Sequence, residues 1–345
     1  MPLTTLPDIA SLADVRRVLA ALPGPHTDAA AEAAAREPQL TKPPGSLGRL
    51  EELAAWLAAW QGRHPPRVDK PWALVFAGNH GVVGRGVSAF PAEVTAQMVA
   101  NFEAGGAAVN QLCRACGVEL KVQAMGLETP TRDFTEGPAM DDAECAAAFA
   151  QGMAAVPDGA DLVCPGEMGI GNTTAAAAIS HALHGGAAED WTGPGTGVAG
   201  DALANKIAVV AEAVRLHAGA ATDGIEALCR LGGREIAAMA GAVIGARLMG
   251  VPVLLDGYVS TAAAAALAAT TPGALDHCQA AHVSTEPGHR RLLERIGKPP
   301  LLDLGMRLGE ASGAVLAVAV VRSAAACHDG MATFAEASVS DRPDA

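Results

Sequence analysis

DLVCPGEMGIGNTTAAAAISHALH, residues 161–184, begins as a short apolar strand, turns through Gly166, Gly169 and Gly171, and runs on as an alanine-rich helix with Asn172, Thr173 and Thr174 at its start. Strand, glycine turn and helix in that order form one β-α unit. The alternation recurs along the chain. Residues 72–77, 118–125, 161–164, 251–256 and 299–304 read as strands, and residues 91–116, 172–184, 203–217, 234–249 and 311–327 as helices. Helices long enough to carry the chain back between strands predict parallel pairing. The expected fold class is therefore α/β, a mostly parallel Rossmann-like sheet flanked by helices.

Working toward the N-terminus, Leu47, Leu50, Leu53, Trp56, Leu57 and Trp60 recur at helical spacing and make one apolar face. Residues 1–70 read as a smaller, mainly helical lobe, residues 71–340 as the α/β domain, and the polar 341–345 as a frayed tail. A chain of 345 residues can bury a sizeable core. It has only six Phe, four Trp and one Tyr, so alanine- and glycine-rich helices must supply that core by close backbone approach.

Lys and Arg number 24 against 37 Asp and Glu, a net charge of −13. With no basic run and no interleaved aromatics, this argues against a nucleic-acid partner. An anionic substrate would have to be held by local donors. The first residues lack a basic stretch followed by an apolar one, and the alanine-rich runs are broken before they could span a bilayer. No membrane association and a cytoplasmic location are expected. Seven scattered cysteines fit reduced thiols, and the lone Cys113/Cys116 pair reads as two small helix-packing residues rather than a metal ligand set.

In open α/β sheets ligands sit beyond the carboxyl ends of the strands. Gly78-Asn79-His80-Gly81, Gly166 to Thr174, Gly257-Tyr258, Gly305 to Glu310 and the loop Gly193-Pro194-Gly195-Thr196-Gly197 are the segments to search. Gly166 to Thr174 offers close backbone approach and donors at a helix start, which suits a phosphate and equally suits a structural turn with capping residues. Glu310 stands before residues 311–326, which carry one charge, Arg322, and read as a buried helix. Desolvation there would make it a useful general base, although by position alone the favourable helix dipole is the commoner reason for a carboxylate at this place. Lys206 could meet a phosphate or be a solvated helix charge, Glu167 is similarly ambiguous, and His80 reads as a hydrogen-bonded turn residue.

Lys42-Pro43-Pro44-Gly45-Ser46-Leu47-Gly48-Arg49-Leu50-Glu51, Gly78-Asn79-His80-Gly81-Val82, Gly166 to Thr174, Asn205-Lys206, Pro252 to Gly257 and Met306 to Ala314, taken together, resemble the nicotinate-nucleotide:dimethylbenzimidazole phosphoribosyltransferase family. The resemblance covers nearly the whole chain in order. It implies transfer of the phosphoribosyl group of nicotinate mononucleotide to 5,6-dimethylbenzimidazole in cobalamin lower-ligand synthesis, without a metal or cofactor, by a homodimer. It implies that Glu310 accepts the proton and that Glu167 offsets developing ribosyl charge. Gly166, Gly169, Gly171, Asn172, Thr173, Gly195 and Lys206 would hold the nucleotide. The acceptor base would lie near His80, Ser88, Phe90, Gln97 and Met98. At Phe90 and Met98 the chain departs from the family's Ser and Gln, so adenine, a phenol or another benzimidazole stays open as acceptor, as does a catalytically silent nucleotide-binding module.

Overall fold

The computed structural model describes residues 6–340; the tail expected to fray lies outside the described residues. Along the chain run α1 (Leu12–Leu19), α2 (Thr27–Arg36), α3 (Arg49–Gln61), β1 (Pro71–Ala77), α4 (Val94–Glu103), α5 (Ala108–Cys116), β2 (Glu119–Ala124), α6 (Asp142–Ala155), β3 (Leu162–Met168) and α7 (Asn172–His184). They continue as α8 (Asp201–His217), α9 (Gly224–Leu231), α10 (Arg234–Leu248), β4 (Val253–Leu255), α11 (Tyr258–Thr270), β5 (Cys278–His282), α12 (Pro287–Arg295), β6 (Pro300–Leu302) and α13 (Ser312–Gly330).

The strands pair in the order β2-β1-β3-β4-β5-β6, and every described pair is parallel. Alternation along each strand feeds two cores. Leu74, Phe76, Val163, Val253 and Leu255 join the cluster built by α1 and α6 to α11. Ala73, Val75, Leu162, Cys164 and Leu254 join the one built by α3, α5 and α13. With both faces covered, the strands read as continuous apolar runs. α3 buries Leu53, Trp56, Leu57 and Trp60 as the spacing predicts, while Leu47 and Leu50 are half-buried. Lys42 and Glu51, from the long N-terminal motif, pair at 2.7 Å, and Lys42 also meets Glu37 at 2.8 Å. Among the described residues no helix is long and apolar enough to cross a membrane.

Four expectations change. Residues 91–116 form two helices, because Gly105, at φ +77°, follows the end of α4 and bends the chain in a conformation that glycine adopts at little cost. β3 continues through Met168, paired with β1 up to Ala77↔Met168, so Gly166 and Glu167 belong to the strand rather than to the turn after it. β5 was not anticipated. Its Cys-Gln-Ala-Ala-His run contains no β-branched residue and is held extended by β4 and β6. Tyr258 opens α11 instead of continuing a loop.

α10 is buried from Glu235 to Leu248, wedged between α6 and the sheet. It fits only because small residues meet: a Cβ on Gly241 would overlap the Phe149 carbonyl of α6. Gly241→Leu is expected to cost about 1–3 kcal/mol, the range of core overpacking. Urea denaturation followed by circular dichroism reads it, and wild-type stability in the variant would show that the two helices are not in such close contact.

Candidate active site

The strand order reverses between β1 and β3, so the crevice beyond their carboxyl ends is the topological switch point. A cavity of about 270 Å³ opens there. Glu167 to Ile170 and the α7 start, Asn172 and Thr173, form one wall. The segment Arg307 to Gly309, the α11 start and buried Gly195 also line it, with exposed Phe90 and Thr196.

Glu310 and Ala311 lead into α13 with φ of +62° each, two successive side-chain-bearing residues in the left-handed region. Such residues cost of order 1–3 kcal/mol apiece and persist where surroundings over-determine them. Here β3 does so: Gly166 lies so close to Ala311 that a Cβ would overlap its backbone nitrogen, and the Glu310 amide donates to the Glu167 carbonyl at 3.2 Å. Asp256, at the end of β4, accepts from the Ala314 amide at 2.9 Å and caps the first turn of α13.

The two expected carboxylates therefore flank one contact. Glu310 is 4 % exposed, and its Oε2 has no partner among the described residues. Burial, with Asp256 adding repulsion, pushes its carboxyl up to about 7, although it faces the Val109 amide at the start of α5. Gly309, not Glu310, forms the cavity surface at this point. Burial likewise pushes Glu167 up to about 8; a hydrogen bond from Asn172 opposes the shift, and Asp256, Glu235 and Glu310 add to it.

Lys206 is not a solvated charge. It is 1 % exposed, and its Nζ donates to Thr173 Oγ1 at 2.8 Å and to the Gly193 carbonyl at 3.0 Å. Burial lowers it to about 8, and Glu286 acts against that. Arg307 donates to the Gly195 carbonyl at 2.8 Å, and the Gly195 amide donates to Glu286 Oε1 at 2.9 Å. Two cations and the α7 start thus converge on the Gly193–Gly197 loop, which gives one end of the cavity the means to hold an anion.

The residues expected around the acceptor are less united. Phe90, half exposed, lines the cavity, and Ser88 reaches Thr196 at 3.1 Å. Gln97 is exposed on α4, and Met98 is half-buried against the α13 core. His80 is buried and paired to Glu235 at 2.5 Å, away from the cavity surface, in keeping with its reading as a hydrogen-bonded turn residue. Cys113 and Cys116 are free thiols on α5. Sequence reasoning missed His282, the last residue of β5, and Ser284 and Glu286 just beyond it, three alternate residues that all line the cavity, because β5 itself was missed. Asp256 and Arg307 stood inside quoted motifs without a role.

Fold and cavity define a parallel α/β enzyme whose cavity lies between a loop bonded by two cations and carboxyls raised by burial. The family profile described as phosphoribosyltransferase matches residues 22–339. The chain is 60 % identical over 329 residues to nicotinate-nucleotide–dimethylbenzimidazole phosphoribosyltransferase of Rhizobium meliloti (strain 1021), covering 95 % of this chain and 97 % of that one. It is 58 % identical over 337 residues to the protein of the same name from Methylocella silvestris, covering 98 % and 99 %. The crystal structure of CobT from Thermus thermophilus superposes with a TM-score of 0.85 at 44 % identity, over 91 % of this chain and 99 % of that one. The chain belongs to the nicotinate-nucleotide–dimethylbenzimidazole phosphoribosyltransferase family.

The buried carboxyls have a cost that depends on pH. Glu167, about 8 folded against 4.5 unfolded, takes up a proton on folding. Its contribution to stability is whole below about pH 4.5 and is lost as the pH rises through 8. Lys206, lowered from 10.5 to about 8, acts in the opposite sense only above about 8. Glu167→Gln is expected to lose less unfolding free energy than wild type between about pH 5 and 8 in chemical denaturation; equal losses would show that Glu167 is not a buried acid.

Proposed function

We propose that this protein transfers the phosphoribosyl group of nicotinate mononucleotide to 5,6-dimethylbenzimidazole. The products are α-ribazole 5′-phosphate and nicotinate, and the enzyme acts as a cytoplasmic homodimer. The observation that carries the reading is Glu310: a buried carboxyl held near 7, with one oxygen unpartnered, next to Gly309 at the wall of a cavity that Arg307 lines and whose Gly193–Gly197 loop Lys206 bonds.

In this reading the 5′-phosphate lies against Thr173, Gly195, Lys206 and Arg307, with the Gly166–Asn172 stretch of backbone beneath the nucleotide. Nicotinate leaves from a ring nitrogen that is already cationic, so its departure needs no acid. One benzimidazole nitrogen attacks the anomeric carbon from the opposite face, which inverts the β-nucleotide to an α-product. The second ring N–H then becomes acidic, and Glu310 takes that proton. Glu167, mostly protonated near neutral pH, gives its proton to water as the pyridinium cation favours its ionised form, and then opposes the positive charge that grows on the ribosyl carbon. Phe90 supplies an apolar surface for the acceptor.

Glu310→Gln is expected to fold and bind nicotinate mononucleotide while losing ~10²–10⁴ in coupling, the span of a general base. Product formation by mass and anomer measures it, and near-normal turnover would sink the assignment. Lys206→Ala is expected chiefly to raise the KM for nicotinate mononucleotide, and an unchanged KM would remove Lys206 from the phosphate.

A further inference from the structure

The carboxyl ends of β4 and β5 hold a charge pair to which the transfer as described gives no part. Asp256 and His282 are each 1 % exposed, and Asp256 Oδ1 lies 3.5 Å from His282 Nε2. The same Oδ1 accepts the Ala314 amide, so one carboxylate faces both the imidazole and the open end of α13. His282 lines the cavity. Its ring is pressed against Gly313, where a Cβ would overlap it, and neither ring nitrogen has a hydrogen-bond partner among the described residues. Burying an imidazole so poorly satisfied is unfavourable, and an apolar side chain would fill the space at less cost.

Charge explains the residue. Asp256 is a third buried carboxyl group beside Glu167 and Glu310, and His282 is the imidazole that faces it. We propose that Asp256 and His282 are positioning residues for the transfer, a buried charge pair that seats the start of α13 and sets how tightly Glu310 holds a proton. This rests on Glu310 being the proton acceptor.

The surroundings leave the pair in control. Glu310 meets Asp256 from β4, Glu167 from β3 and the Val109 amide from α5, and Glu235 from α10 bears on Glu167. His282 meets Asp256, Asp303 beyond β6, and His289 of α12. Burial, with His282 beside it, pulls His289 down to about 3, so it stays neutral at working pH. Burial acts most strongly against a charged His282, but Asp256, the Val283 backbone and Asp303 together hold the imidazole above its usual value. A protonated His282 cancels part of the Asp256 field at Glu310, and a neutral residue in its place would leave that field whole.

The test is the pH profile of kcat/KM for the full chain with nicotinate mononucleotide and dimethylbenzimidazole. Wild type should show an acidic limb that Glu310→Gln abolishes. A profile without such a limb overturns the base assignment and the inference with it. Asp256→Asn keeps an oxygen for the Ala314 amide and removes the charge, so the limb should move about one unit to lower pH. His282→Gln removes the counter-charge, so the limb should move to higher pH. A purely structural role would lower the plateau in both variants and leave the limb in place. A limb that stays put, or moves the same way in both, overturns the pairing while leaving Glu310 as base. Should Asp256→Asn fail to fold, His282→Gln decides alone: a rise supports the pair and an unmoved limb overturns it.

Discussion

Gly166 of β3 and the backbone of Ala311 touch with no room for a side chain between them, and the cavity depends on that contact. It brings the end of the central strand against the start of the last long helix, and so places Glu167 and Glu310 on either side of one backbone junction. The Glu310 amide bonded to the Glu167 carbonyl and Asp256 capping Ala314 fix the same junction from two further directions. A side chain at 166 would part strand from helix and move both carboxylates at once.

Burial at this junction does chemical work because it is unevenly distributed. Carboxylates gather where the sheet ends, and cations gather at the Gly193–Gly197 loop, within a chain whose net charge is −13. At the ionic strength of a cell, charges beyond roughly 8–10 Å are largely screened. A phosphate therefore senses Lys206, Arg307 and the start of α7 far more than the acidic surface. Burial raises both glutamates, Glu310 to about 7 and Glu167 to about 8.

Much of this was legible in the order of residues. Short continuous apolar runs separated by alanine-rich stretches are a strong signal for β-α units, and β1, β3 and β4 stand where those runs fall. β5 was not legible, because Cys-Gln-Ala-Ala-His has no intrinsic strand preference and is extended only by its neighbours. Losing β5 also hid His282 and Glu286, which are identified by standing at a strand end. Glu310 was singled out through its motif, since position alone favoured a helix-dipole role; neither its burial nor its left-handed backbone shows in the pattern. The burial of Lys206 was equally invisible, because a lone lysine on an amphipathic helix looks solvated until the loop that covers it is placed.

The left-handed pair at Glu310 and Ala311 has a consequence for how such a chain can drift. Glycine at either place would relax the backbone and stabilise the fold, so thermal selection alone pulls both positions toward glycine. A descendant released from its reaction would be free to take that path and grow sturdier as it fell silent. Two side chains where the backbone would rather have none thus concentrate the fold's strain at the junction that carries the proposed base.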